Sequence, residues 1–78
     1  MKTIKVLGSG CKNCVATAHL IEESARDLDV PVQVEKVTEI ADIMGYGVMR
    51  TPGVVVDGVV VHAGGVPRPE QVKQWLRG

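Results

Sequence analysis

Both cysteines of this chain fall in one short stretch, Gly8-Ser9-Gly10-Cys11-Lys12-Asn13-Cys14. An apolar run, Ile4-Lys5-Val6-Leu7, precedes it, and a segment of helical character from Val15 to Leu28 follows. A glycine-rich turn between a buried strand and a helix start leaves the pair little choice of setting. Residues i and i+3 of a first helical turn share a face, so the two sulfurs can bond. The unpaired N–H groups and partial positive charge of a helix N-terminus favour a thiolate over a thiol. Cys11, on the loop side, is therefore expected to be the accessible, ionised nucleophile. Cys14, one turn further in, is expected to be the shielded sulfur that resolves what Cys11 captures. Lys12 adds positive charge beside Cys11 and is expected to favour the thiolate further.

Length and composition bound the rest. A chain of 78 residues is expected to form one domain, 1–78, near the small end of what folds on a hydrophobic core alone. Phe is absent and the aromatics are Tyr46 and Trp75, so Val, Ile, Leu and Ala must build that core. Nine Lys and Arg offset nine Asp and Glu, which gives no reason to expect nucleic acid or an anionic lipid surface as a partner. No apolar run approaches the length of a membrane span. Met1-Lys2-Thr3-Ile4 leads straight into the first strand and leaves no room for a signal peptide, so a cytoplasmic protein is expected. There, two cysteines three apart point to reactive or metal-binding thiols rather than a structural staple.

Taken in order, Thr3 to Leu7 reads as a buried strand and the first helix as about Cys11 to Leu28. Cys14, Ala18, Ile21, Ala25 and Leu28 form its apolar stripe. His19, Glu22, Glu23 and Arg26 take the opposite face, with Glu22 and Arg26 spaced as an ion pair. Asp29-Val30-Pro31 closes the helix, and Val32 to Val37 reads as a strand parallel to the first, joined by a right-handed crossover. Thr38 is the expected N-cap of a short helix with Gly45 just past its end, and Ile40, Ile43 and Met44 as its apolar side. Two valine runs, 54–56 and 59–61, flank Asp57-Gly58 and predict a hairpin. Pro69 opens a last helix whose apolar face is Val72, Trp75 and Leu76. The order is β-α-β-α-β-β-α, an α/β fold with a four-stranded mixed sheet flanked by helices.

In this order of elements, in Cys11-Lys12-Asn13-Cys14 after the first strand, and in Thr51-Pro52 just before the third, the chain resembles the thioredoxin superfamily in its minimal form. It looks closest to the small, glutaredoxin-like prokaryotic redox-active disulfide proteins. The resemblance covers nearly the whole chain. It implies a thiol–disulfide oxidoreductase in cellular electron transport, working on a disulfide-containing protein and recycled by a reductase. It also implies a cis-proline at Pro52, and at Thr51 a backbone that pairs with bound substrate. No cofactor and no metal are called for, and a monomer is expected. Departures from the pattern are specific. Gly10 stands where thioredoxins carry Trp before the first cysteine, and Lys12-Asn13 replaces their Gly-Pro. No counterpart of their buried acid is evident. Gly64-Gly65 is similar to the glutaredoxin pair near glutathione, but Val66-Pro67-Arg68 replaces the polar residues that hold its carboxylate there.

The other polar and soft side chains carry plainer expectations. His19 reads as a solvated surface histidine, His62 as the cap of its strand, and Met44 and Met49 as core fillers rather than thioether ligands. Met49 and Arg50, just before Thr51-Pro52, can also reach a substrate groove. Tyr46 is equally compatible with packing near the cysteines and with covering a sheet edge. The competing function is a soft-metal carrier like the ferredoxin-like copper chaperones, since two thiolates suit Cu(I). Those chaperones end on a strand, whereas residues 69–76 here read as helix. A third possibility is a non-catalytic interaction module on the same fold.

Overall fold

The computed structural model describes residues 1–78. Its elements are β1 (Lys2–Leu7), α1 (Lys12–Asp27), β2 (Val32–Val37), α2 (Ile40–Gly45), β3 (Gly53–Val56), β4 (Val59–Ala63) and α3 (Pro69–Arg77). The strands form one mixed sheet in the order β2-β1-β3-β4. β1 runs parallel to β2 and antiparallel to β3, and β3 and β4 form the hairpin. This is the minimal thioredoxin fold, with β1 central and the α1 N-terminus at its C-terminal end.

Alternation along β1 divides the core in two. Ile4 and Val6 join Ala18, Ile21 and Ala25 of α1, Val54 of β3, and Val72 and Leu76 of α3 in the larger cluster. Leu7, on the opposite face, packs with Ile43, Val48 and Val55. Each fully buried Val, Leu or Ile contributes roughly 1.5–3 kcal/mol, so the larger cluster anchors α1 and with it the cysteine pair.

Helix α1 is bounded by specific caps. Cys11 is its N-cap in extended conformation rather than its first helical residue, and Leu28 is its C-cap. Asp29 then takes a positive φ of 56°. The Val30 N–H donates to Ala25 O at 2.9 Å and the Asp29 N–H to Arg26 O at 3.2 Å. This is a Schellman closure with Asp where Gly is usual, and Pro31 bars any continuation. The stripe is wider than its apolar letters show, because Thr17 and Ser24 are buried in it as well. On the outer face the side-chain contact that forms is His19 Nε2–Glu23 Oε1 at 2.6 Å, and Glu22 and Arg26 do not pair.

The short helix departs from expectation. Its N-cap is Glu39, so Thr38 lies outside it, and Ile43 is its only buried residue. Ile40 and Met44 are 68% and 64% exposed, and Met49 is 89% exposed. Neither methionine fills the core. Six residues make less than two turns, so little of the helix surface meets the sheet, and Val48 and Tyr46 complete the contact. The hairpin turn has Asp57 at φ 47° and Gly58 at φ 87°, a mirror-type turn that matches strand twist. The register shifts between Val54, paired with His62, and Val55, paired with Val60, which leaves Val61 as a bulge. Val59, Val60 and Val61 are all exposed on this edge strand, where a bulge hinders pairing with another chain.

Candidate active site

The site grows out of the end of β1. The Gly8 N–H still donates to Val37 O at 2.9 Å, so the chain leaves the sheet only at Ser9. Gly10 makes the turn with φ 78°, a conformation that a side chain would strain. Cys11 then caps the helix. Its carbonyl accepts the first helical bond from the Val15 N–H at 3.0 Å, and its Sγ accepts the Cys14 N–H at 3.1 Å. The Thr17 hydroxyl donates to Asn13 O at 2.7 Å and tightens the same turn.

Cys11 and Cys14 form a disulfide across a Cα–Cα distance of 5.0 Å. Cys11 is half-buried and Cys14 is 5% exposed. Lys12 is the first residue of α1 and is exposed at the rim. Thr51, distant in sequence, arrives beside the pair. A Cβ placed on Gly8 would lie 3.2 Å from Cys14 Cβ and 3.6 Å from Thr51 Cβ, so both residues pack close to Gly8. The Thr51–Pro52 peptide bond is cis; Thr51 is exposed and Pro52 is buried. The Gly64 N–H donates to Pro52 O at 2.9 Å, which ties this loop to the end of β4. The Arg50 stem lies across Gly64, where a Cβ would come within 3.2 Å of it.

Two hollows open beside the loop that follows β1, one of them against Cys14. A groove of about 260 Å³ is lined by Ser9, Ile40, Ile43, Met44, Val48, Met49 and Thr51. A smaller cavity of about 70 Å³ lies beside Cys14, against Gly8, Gly10, Val15, Lys36 and Thr38. The apolar groove wall was missed in the sequence, where Ile40 and Met44 looked like core. The shortness of α2 was the available signal.

Other side chains fall elsewhere. Tyr46 packs against the smaller core and accepts a hydrogen bond from Lys5 Nζ at 3.1 Å, with the ammonium 5.8 Å from its ring centroid. That hydrogen bond, followed by the electrostatic influence of Tyr46, raises the Lys5 pKa above its ordinary value. A cavity of about 450 Å³ opens there, with Asp42 and Val37 on its walls and neither cysteine. His62 Nε2 lies 2.9 Å from the Gly65 carbonyl and its ring is 5.9 Å from that of Trp75, linking the end of β4 to α3. Three or more His, Cys, Asp or Glu side chains come together nowhere in a way that could hold a metal ion, and the two sulfurs are bonded to each other. The copper-carrier alternative has no support. No helix is long and apolar enough to cross a membrane.

A sulfur pair capping a helix, one member reachable and the other sealed, is the arrangement of a thiol–disulfide exchange protein. A family model described as "Thioredoxin domain" matches residues 2–77. A thioredoxin of Methanocaldococcus jannaschii is 32% identical over 77 residues, covering 99% of this chain and 88% of that protein. A thioredoxin of Methanothermobacter thermautotrophicus is 32% identical over 76 residues, covering 97% and 99%. The chain belongs to the thioredoxin family, and it is a thiol–disulfide oxidoreductase.

Proposed function

We infer that the protein reduces disulfides in other proteins, with Cys11 as nucleophile and Cys14 as resolving residue. Cys11 thiolate attacks one sulfur of the target disulfide, and the other leaves as a thiolate. Deprotonated Cys14 then attacks Cys11 Sγ, forming the Cys11–Cys14 bond and releasing the second target sulfur as a thiolate. The target gains two electrons and the protein loses them, so a separate reductase must restore the dithiol. The carrying observation is that Cys11 Sγ sits at the helix N-cap and accepts the Cys14 N–H while Cys14 itself is buried. That geometry favours the thiolate at the accessible position.

Thr51 supplies backbone to orient the target chain, Pro52 shapes the floor, and Lys12 favours the thiolate. The exposed apolar wall of Ile40, Met44 and Met49 supports a protein rather than a small molecule as substrate. A single domain over residues 1–78, acting as a monomer in the cytoplasm, completes the reading; a reducing compartment favours the reductase direction.

Trapping tests this directly. Cys14→Ser should accumulate a mixed disulfide with a model protein substrate, seen on a non-reducing gel, and Cys11→Ser should give none. A mixed disulfide that forms through Cys14 when Cys11 is replaced would reverse the roles.

A further inference from the structure

We propose that Gly8 is a positioning residue for Cys14 and sets the dithiol–disulfide equilibrium of the pair. Gly8 is buried, and its backbone is held in sheet pairing with Val37. A Cβ built on it overlaps Cys14 Sγ outright, lies 3.2 Å from Cys14 Cβ and 3.6 Å from Thr51 Cβ. The bare backbone of Gly8 is thus the seat of the resolving sulfur. Its conformation does not demand glycine, because Gly8 is not among the positive-φ glycines. Steric room is the reason left.

The two redox states use that room differently. In the disulfide, Cys14 Sγ is bonded to Cys11 and cannot leave the seat. In the dithiol, the Cys14 side chain is free to turn about χ1 to another staggered position. The cavity of about 70 Å³ beside Cys14, bounded by Val15, Lys36 and Thr38, gives it somewhere to go. A methyl group on Gly8 therefore penalises the disulfide more than the dithiol. Gly8 stabilises the oxidised form, and Gly8→Ala makes the protein a stronger oxidant. The inference rests on the proposed function only in that the pair cycles between dithiol and disulfide; neither the substrate nor the physiological direction enters.

The experiment equilibrates wild-type and Gly8→Ala full chain in buffers of stepped reduced-to-oxidised glutathione ratio and reads the oxidised fraction by thiol trapping. Each protein disulfide reduced consumes two glutathione molecules and yields one glutathione disulfide. Gly8→Ala should weaken the equilibrium constant for oxidation at least tenfold, a rise in potential of about 30 mV or more. A change below twofold, or one favouring the disulfide, overturns the proposal. A second measurement compares urea unfolding of oxidised wild type and oxidised Gly8→Ala with the same pair in a Cys14→Ala background. The substitution should cost clearly less once the sulfur is gone; equal cost in both backgrounds overturns the proposal. If Gly8→Ala alone does not fold, the Gly8→Ala/Cys14→Ala chain should fold, and its failure to do so also counts against the sulfur as the cause. Should the wild-type pair exchange with neither glutathione nor dithiothreitol, the proposed function fails, while the unfolding comparison still decides the role of Gly8.

Discussion

The Cys14 N–H donates to Cys11 Sγ at 3.1 Å. The two cysteines are therefore joined through a helix cap as well as through their sulfurs. A cap hydrogen bond does not require the S–S bond, so the same N–H can hold the Cys11 thiolate when the disulfide opens. In the proposed mechanism one backbone group serves helix stability and sulfur ionisation together.

Lys12, exposed at the first helical position, adds charge at the same spot. Lys12→Glu replaces a favourable neighbour with an unfavourable one and should raise the Cys11 pKa by about half a unit, given the roughly 0.3–1 kcal/mol typical of exposed charges at helix ends. Thiolate absorbance followed against pH in the reduced protein measures it. An unchanged titration would mean that Lys12 is only a solvated charge.

Met49 is the most exposed apolar side chain of the groove that Thr51 also lines. Met49→Glu should lower kcat/KM for a protein disulfide several-fold and leave turnover of a small aromatic disulfide within a factor of two. Equal loss on both substrates would remove the groove from substrate recognition.

Asp57 holds the hairpin to the central strand. Its Oδ1 accepts the Thr3 N–H at 2.9 Å, and its own N–H donates to Thr3 O at 2.9 Å, from a backbone at φ 47°. Asp57→Ala loses the side-chain bond and tolerates that φ poorly, so it should cost about 1–2 kcal/mol. Asp57→Asn keeps an acceptor and tolerates positive φ, and should cost less. Urea midpoints at unchanged m-value distinguish them.

The Lys5–Tyr46 contact carries a pH signature. The Tyr46 hydrogen bond raises the folded-state Lys5 pKa above its ordinary 10.5. A raised pKa means that folding favours the ammonium, so its contribution is complete below the unfolded value and fades as pH rises through the folded one. Tyr46→Phe should therefore lower the Lys5 pKa, read by NMR at Nζ, and reduce the alkaline loss of stability. An unmoved Lys5 titration would assign the shift to the neighbouring carboxylates instead.

Much of this protein is local and therefore written in the chain itself. The apolar run at residues 3–7, the valine-rich stretch 32–37, Asp57-Gly58 between valine runs, and Pro69 opening a helix each act over a few neighbouring residues. The cysteine spacing placed both sulfurs on one helical turn without reference to the rest of the fold. What sequence could not settle is what lies opposite each face. Ile40 and Met44 carry core-like letters, yet α2 is too short to turn them onto the sheet, so they become a groove wall. Tyr46 finds Lys5 rather than the cysteines because β1 alternation points Lys5 toward the α2 side. Gly8 looks like one more loop glycine until the fold packs Cys14 and Thr51 against it. Backbone preference is set by near neighbours, but burial is decided by segments distant in the chain that only folding brings together.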